Sequence, residues 1–385
     1  MLRFLTGGES HGMALTAIVE GLPAGLGVDQ EMINRDLARR QMGYGRGQRM
    51  QIESDQVQIL SGVRGGKTLG SPITMQIRNR DWENWKEVMA VKAPANEARA
   101  VTRPRPGHAD LAGGIKYDHK DFRNVLERAS ARETAVRVAV GALAKVLLQR
   151  FHVSILGHVL SIGGSRRSRV ELARSEVQPA VEGSPVRCLD GEVEKDILGR
   201  IEKAQAVGET LGGVFEVCAF DVPVGLGSYV HWDKRLDADL ARAVMSIPAI
   251  KGVEIGLGFE AAERPGSEAH DVINYRRDRG FFRETNRAGG IEGGVSNGET
   301  IVVRAAMKPI PTLGSPLRSI HIISKRESEA AVERSDVTAV PSACVIAEAA
   351  VAIVLAGHMI QKFGGDSIEE MQRNYQGYIS QVKSL

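Results

Sequence analysis

Hydrophobic and polar positions along the chain follow patterns that predict β-strands in both halves. Short apolar segments predict strands at Ala14–Glu20 and Gly213–Phe220, each leading into a Pro- and Gly-containing turn. Alternation with a period of two predicts further strands at Ile73–Ile77 and Thr300–Val303. Strands of this kind bury one face and leave the other to solvent.

Two longer segments predict helices. Apolar residues recur at helical spacing over Glu133–Phe151. The segment Ala343–Phe363 is apolar nearly all round, which predicts a central buried helix. Its longest uncharged run is 13 residues, between Glu348 and Lys362, which favours a core helix over a membrane span.

Three polar segments lack such periodicity. We interpret Arg78–Ala100 and Ser165–Glu194 as surface excursions, and the charge-rich Arg326–Ser335 as a loop.

The chain also repeats itself. The segment Leu22–Gly27 recurs as Val222–Gly227, and the tetrapeptide Asp36–Arg39 recurs as Asp239–Arg242. Four glycines between positions 62 and 70 recur 228 positions later. Matches that keep the same order predict an internal two-fold duplication.

Composition is that of a soluble globular protein. Of 385 residues, 43% are hydrophobic and 25% charged, enough for a sizeable core. No long linker divides the halves, so we expect one domain over residues 1–385 with two related subdomains, about 1–205 and 206–385. A net charge of +3 and 5% aromatic residues argue against nucleic acid as a partner.

The three cysteines lie far apart and have no metal-ligand spacing, so we expect reduced thiols and no metal site. The N-terminus lacks the pattern of a signal peptide. Together with the buried-helix interpretation, these features predict a cytoplasmic protein without a membrane partner.

Two histidines stand in tight turns, at His11 within Gly8–Gly12 and at His108 within Arg105–Asp110. Imidazoles held on such turns can face a pocket and transfer protons. Arginines gather beside glycines in Arg39–Arg49 and at Arg128–Glu133, which precedes a predicted helix. Guanidinium groups bind carboxylate and phosphate in bidentate fashion. The pattern predicts a catalyst that acts on a small, multiply charged anion.

Two other classes stay open on these residues alone. Gly8–Gly12 matches Gly-x-Ser-x-Gly, so Ser10 is a candidate nucleophile of a serine hydrolase. A non-catalytic anion- or RNA-binding protein would use the same arginines. The sequence has neither a Walker A motif nor a complete dinucleotide-binding fingerprint.

Several motifs together resemble the chorismate synthase family, in order over residues 7–360. They are Gly-Glu-Ser-His-Gly (8–12), Arg-Arg-x-x-Gly-x-Gly-Arg (39–46), Arg-Pro-Gly-His-Ala-Asp (105–110), Ser-Ala-Arg-Glu-Thr (130–134), Lys-Gly-Val-Glu-Ile-Gly (251–256) and Arg-x-Asp (334–336) before Ala-Val-Pro. The resemblance implies an α+β fold, a β-α-β sandwich with helices layered between two sheets, assembled as a homotetramer.

The resemblance also implies the reaction, a 1,4-anti elimination of phosphate from 5-enolpyruvylshikimate 3-phosphate that yields chorismate for aromatic amino acid biosynthesis. Reduced FMN is the implied cofactor. His11 would protonate the departing phosphate with Ser10 beside it, His108 would manage protonation of reduced flavin, and Asp336 would help remove the proton from flavin N5.

The remaining implied contacts fall into two sets. The substrate anions would be held by Arg40, Arg46, Arg105, Arg132 and Arg334. The flavin contacts would come from Arg128, Ala129, Ser130, Pro248, Ala249, Gly293, Lys308, Pro309, Ile310, Pro311, Thr312 and Arg334. Some relatives reduce their own flavin with NADPH, but no NADPH fingerprint is recognisable here, which favours a separate flavin reductase.

Overall fold

Two four-stranded antiparallel sheets frame the protein. The computed structural model describes residues 2–46, 54–92, 99–167, 174–333 and 336–385. The first sheet has the order β1-β2-β6-β3 and the second β7-β8-β14-β9. Their strands are β1 (Arg3–Gly7), β2 (Ala14–Glu20), β3 (Val57–Ile59) and β6 (Ile73–Arg78), then β7 (Ser154–Ile162), β8 (Gly213–Phe220), β9 (Ile250–Ile255) and β14 (Ile301–Met307).

Four two-stranded hairpins complete the described strands. They are β4 (Val63–Arg64) with β5 (Lys67–Thr68), β10 (Ile273–Arg276) with β11 (Gly280–Arg283), β12 (Ile291–Glu292) with β13 (Val295–Ser296), and β15 (Arg318–Ile320) with β16 (Glu327–Glu329).

The helices include both predicted segments. They are α1 (Gln30–Gln41), α2 (Lys86–Met89), α3 (Asp110–Tyr117), α4 (Arg123–Ala129), α5 (Thr134–Gln149), α6 (Arg174–Gly183), α7 (Gly191–Ala206), α8 (Leu236–Met245), α9 (Gly266–Ala269), α10 (Val340–Phe363) and α11 (Ile368–Lys383).

The helices α1, α5, α8 and α10 form a layer between the two sheets. Helix α5 packs on β2 and β6, α10 packs on β7 and β8, and the two helices pack on each other. Buried residues of both sheets and all four helices belong to one hydrophobic core. This arrangement confirms the predicted mixed α+β architecture, with the helices inside.

The predicted ends of strands and helices are most accurate where an apolar segment leads into a turn containing proline and glycine. Strands β2 and β8 span the predicted residues, and α10 begins three residues early because Pro341 fits the first turn of a helix. Helix α10 is long and apolar enough to cross a membrane, but 67% of its most apolar window is buried inside the protein. It is a core helix.

The interpretation of the aperiodic segments as surface excursions needs correction. Residues 165–194 contain α6 and bury Val181 and Val186 completely. Within 78–100 the indole of Trp85 is only 9% exposed. Scattered apolar residues in polar surroundings give no periodic signal, although tertiary packing buries them. The charge-rich segment at 326–335 contributes β16, and residues 334–335 lie outside the described part.

The repeated motifs occupy equivalent places in the two halves. The Thr68 hydroxyl donates to the Pro23 carbonyl at 2.6 Å, and the Ser296 hydroxyl donates to the Pro223 carbonyl at 2.6 Å. Each hydroxyl also accepts the backbone N–H three residues beyond its proline. Equivalent hydrogen bonds, together with equivalent strand orders, show that the halves share one topology.

The two central helices approach most closely at a glycine. A Cβ added to Gly141 of α5 would lie 2.2 Å from Cβ and 2.5 Å from Cα of Ala349 on α10. Any side chain at this position therefore forces the helices apart.

A buried carboxylate on α10 is surrounded by three cationic side chains. Glu348 is fully buried and receives Arg39 at 2.8 and 2.9 Å, Lys145 at 2.7 Å and Arg187 at 3.2 Å. The Gly157 N–H donates to it at 2.8 Å. Burial alone would raise the pKa of Glu348, but the surrounding cations hold it well below the usual carboxyl range.

Gly141→Ala should lower the free energy of unfolding by about 1–3 kcal/mol, because overpacking displaces α5 from α10. The matched control is Gly199→Ala on α7, where nothing lies within 4 Å of the added Cβ. That change should raise stability by about 0.5–1 kcal/mol through helix propensity. Urea unfolding of both variants measures the difference, and equal effects at the two positions would contradict the close helix contact.

Glu348→Gln should cost about 3–5 kcal/mol at pH 7, because it leaves buried cations without their counter-charge. The folded-state pKa of Glu348 is depressed, so its contribution is complete above the unfolded carboxyl pKa of about 4.3 and is lost as the pH falls below it. The gap between wild type and variant in urea unfolding should narrow below about pH 4. A gap that widens with acid would refute this assignment.

Candidate active site

A cavity of about 1060 Å³ is lined by residues from both halves of the chain. Its predicted members come from seven places: the β1–β2 turn, the end of α1 and the residues after it, the segment before α3, the segment before α5, the α8–β9 connection, the segment after β14 and the segment before α10. Sixteen predicted site residues line it: Ser10, His11, Arg40, Arg46, Arg105, His108, Ala129, Ser130, Arg132, Pro248, Ala249, Lys308, Ile310, Pro311, Thr312 and Asp336.

Three other predicted site residues do not line the cavity, and a fourth lies outside the described residues. Arg128 is exposed and donates to the Thr6 and Gly8 carbonyls at 3.2 and 3.0 Å. Gly293 lies in the β12–β13 turn, and Pro309 is not among the lining residues. Arg334 lies outside the described residues.

His11 is held by a buried carboxylate. Its Nδ1 lies 2.9 and 3.1 Å from the two carboxylate oxygens of Glu127, and its backbone N–H donates to Oε2 at 2.8 Å. The Ser10 N–H donates to the Glu127 carbonyl at 2.9 Å. A carboxylate only accepts hydrogen bonds, so Nδ1 carries the proton and Nε2 is left for the cavity.

One face of the His11 ring packs on an aromatic side chain. The rings of His11 and Trp85 are 4.0 Å apart at their centroids. The guanidinium groups of Arg99 and Arg123 lie 4.9 and 5.0 Å from the Trp85 centroid. These contacts restrict rotation of the imidazole and place two cations near it.

His108 has an equivalent carboxylate partner. Its Nδ1 lies 2.6 Å from Oδ1 of Asp110. The Arg105 guanidinium also donates to this carboxylate, to Oδ2 at 2.8 Å and to Oδ1 at 3.0 Å. Arg105 in turn donates to the Thr312 hydroxyl at 2.9 Å, linking the two halves. Burial raises the pKa of Asp110, but bonds from His108 and Arg105 outweigh it and hold the pKa well below its usual range.

Two guanidinium groups of the cavity share one buried carboxylate. Arg132 donates to Asp55 at 2.5 Å and to Asn79 at 3.0 and 3.1 Å. Arg40 lies 3.5 Å from Asp55 and donates to the Thr134 hydroxyl at 3.1 Å. Burial lowers the pKa of Arg40 to about 10, with Asp55 opposing the shift. Two positive charges against one negative leave this wall cationic.

Arg46 and Asp336 meet from distant parts of the chain. Their side chains form an ion pair at 2.9 Å. The Arg46 Nε is buried and has no hydrogen-bond partner within the described ranges. Burial lowers the pKa of Arg46, and Asp336 opposes that shift. The free donor is suited to a ligand oxygen.

Apolar side chains also line the cavity. They include Leu126, Ile247, Met307, Ile310 and Ile346. Ala249, which also lines the cavity, has a φ of 69°, a left-handed conformation that is strained for alanine, and its carbonyl accepts the Lys308 N–H at 2.9 Å. A cavity lined by both apolar and cationic side chains fits a planar ring system together with anionic groups.

Sequence reasoning assigned no role to several residues that hold this site. Glu127, Trp85 and Asp55 reach it only through tertiary contacts. The spacing of Arg123 and Glu127, four apart on α4, was an available signal for an ion pair. Asp110 lies two residues after His108 in Arg-Pro-Gly-His-Ala-Asp, close enough in sequence to indicate a contact.

Comparison with known proteins identifies the family of the chain. A profile described as chorismate synthase matches residues 2–360. A chorismate synthase of Geotalea daltonii is 59% identical over the full length of both chains, and one of Moorella thermoacetica is 58% identical with the same coverage. A solved structure described as chorismate synthase has a TM-score of 0.80 and 46% identity, covering 100% of this chain and 99% of that one.

The chain belongs to the chorismate synthase family. This confirms the resemblance, and the serine hydrolase alternative is not supported. The turn that carries Ser10 joins two antiparallel strands, β1 and β2. A hydrolase nucleophile elbow instead joins a strand to a helix.

Asp55→Asn should lower the free energy of unfolding by about 3–5 kcal/mol, because Arg40 and Arg132 lose their shared counter-charge. Inorganic phosphate binding to these guanidinium groups should recover part of the loss. Thermal unfolding with and without phosphate, beside wild type, measures this. A phosphate effect no larger in the variant than in wild type would contradict the cationic wall.

Proposed function

We propose that the protein is a lyase that converts 5-enolpyruvylshikimate 3-phosphate to chorismate and inorganic phosphate by 1,4-anti elimination. The C–O bond to phosphate breaks, a proton leaves the ring, and a second ring double bond forms. The observation that carries the proposal is a cationic cavity holding two imidazoles, each with a buried carboxylate at Nδ1, in a member of this family.

The substrate suits the charges of the cavity. It bears two carboxylates and one phosphate, and seven Arg or Lys side chains but only three carboxylates line the cavity within the described ranges. We assign anion binding to Arg40, Arg46, Arg105, Arg132 and Arg334. Fixed cations aimed at a departing phosphate stabilise the charge that develops there.

Reduced FMN is the proposed cofactor, and the apolar side chains of the cavity fit its ring. When bound, it supplies an electron transiently to the substrate, so that the reaction has no net redox change. We place its contacts at Ala129, Ser130, Pro248, Ala249, Lys308, Ile310, Pro311, Thr312 and Arg334. Pro309 does not line the cavity and is left out. Arg128 and Gly293 are left out of the proposed flavin site, because neither lines the cavity of this chain.

Each histidine has its own proposed task. His11, with Ser10 beside it, delivers a proton from Nε2 to the departing phosphate while Glu127 holds Nδ1. His108 holds a proton on the cofactor side, fixed by Asp110. Asp336 would help remove the proton from flavin N5, and its ion pair with Arg46 keeps the carboxylate in place.

We further propose a cytoplasmic homotetramer that depends on a separate flavin reductase. Exposed apolar side chains support self-association: Leu5 and Ile18 are cross-strand partners on the outer face of the first sheet, and Tyr275 and Phe281 stack on the β10–β11 hairpin. Surfaces of this kind are commonly covered by another subunit.

Anaerobic phosphate release from 5-enolpyruvylshikimate 3-phosphate tests the activity. Release should occur with dithionite-reduced FMN and not without it, and His11→Ala should slow it by about 10²–10⁴-fold because general acid help is lost. Absence of release by folded protein under both conditions would refute the lyase. Labelling of Ser10 by a phosphonate probe would revive the hydrolase.

A further inference from the structure

We propose that Glu127 is a positioning residue that keeps His11 protonated at Nδ1 and directs Nε2 towards the departing phosphate. This inference rests on the proposed function, since it assigns to Glu127 control over the task given to His11. The carboxylate touches neither the substrate nor the cofactor in this assignment. It acts only through the imidazole.

The geometry selects Glu127 for this task. Its side chain is 1% exposed and contacts both the ring and the backbone N–H of His11, so it fixes the position and the rotation of the imidazole together. The next residue, Arg128, donates to the Gly8 carbonyl in the same turn. The C-terminal end of α4 is therefore hydrogen-bonded to three residues of the turn, Gly8, Ser10 and His11.

The charge balance around the pair also favours this role. Arg123 reaches Glu127 at 3.2 Å and Glu333 at 3.1 Å, and the Arg99 guanidinium lies 4.9 Å from the centroid of the Trp85 ring. Arg123 therefore keeps a second carboxylate when Glu127 is neutralised. Burial would raise the pKa of Glu127, but bonds and charge from His11 and Arg123 lower it, so the group is an anion at neutral pH.

An anion at Nδ1 fixes the ring so that Nε2 is directed into the cavity. Glu127→Gln keeps the shape and one acceptor oxygen but removes the charge. We expect kcat for phosphate release to fall by roughly 10- to 100-fold, the scale found when the carboxylate partner of a working histidine is removed. KM and the FMN dissociation constant should change little, because Glu127 does not line the cavity.

The shape of the pH profile separates positioning from a merely structural effect. In Glu127→Gln the alkaline limb of the kcat profile should move from its wild-type position, because the negative charge beside the imidazole is removed. Glu127→Asp retains the charge and should keep the alkaline limb near its wild-type position. A structural defect would lower kcat equally at every pH.

Glu133→Gln is the matched control. Glu133 is also buried and lies six residues along the chain, but it pairs with Arg137 and contacts neither histidine. This variant should keep the wild-type rate and pH profile. Unfolding midpoints of all variants establish that each is folded.

The double variant His11→Ala/Glu127→Gln completes the test. If Glu127 acts through His11, the second change should cost nothing beyond His11→Ala alone. An equal cost in both backgrounds would overturn the inference and leave the proposed lyase intact. Wild-type rate in His11→Ala would overturn the role of His11 itself, and the positioning role with it.

Discussion

A positive side chain buried beside a cavity needs a negatively charged partner on the side away from the cavity. Most of the cationic and imidazole side chains of this site have such a partner. Taking a guanidinium or an imidazolium out of water costs several kcal/mol unless an anion compensates. Glu127 stands behind His11, Asp110 behind His108 and Arg105, and Asp55 behind Arg40 and Arg132. The carboxylates stabilise the folded state, yet they leave an excess of cations facing the ligand.

The same constraint explains how a polar site coexists with an apolar layer of helices. Helices α5 and α10 pack so closely that Gly141 meets Ala349, and this contact sets the distance between the sheets. Charged side chains of the site lie at the ends of these helices, with Arg132 in the segment before α5 and Asp336 in the segment before α10. At the core itself, Glu348 shows the alternative solution, a carboxylate saturated by cations that has no access to ligand.

Local patterns predicted the elements and the histidine turns, and tertiary contacts decided the rest. Strands β2 and β8 match because each is a short apolar segment and the Pro- and Gly-containing turn after it marks where the strand ends. His11 and His108 were predictable because glycine and proline mark their turns within a few residues. Glu127 lies 116 positions from His11, and no local pattern records such a contact. Trp85 lies in a polar segment, and its packing on His11 is also a contact between distant residues that no local pattern predicts.

The shared topology of the halves has an evolutionary consequence. In the first half β1 and β2 are joined by a short turn that carries His11, whereas the equivalent β7–β8 connection contains α6 and α7. A symmetric pair of separate chains must change both copies of a connection together. Once two copies are fused into one gene, each can diverge alone. Here one connection places Ser10 and His11 in the cavity, while its counterpart, through Arg187, supports the buried Glu348.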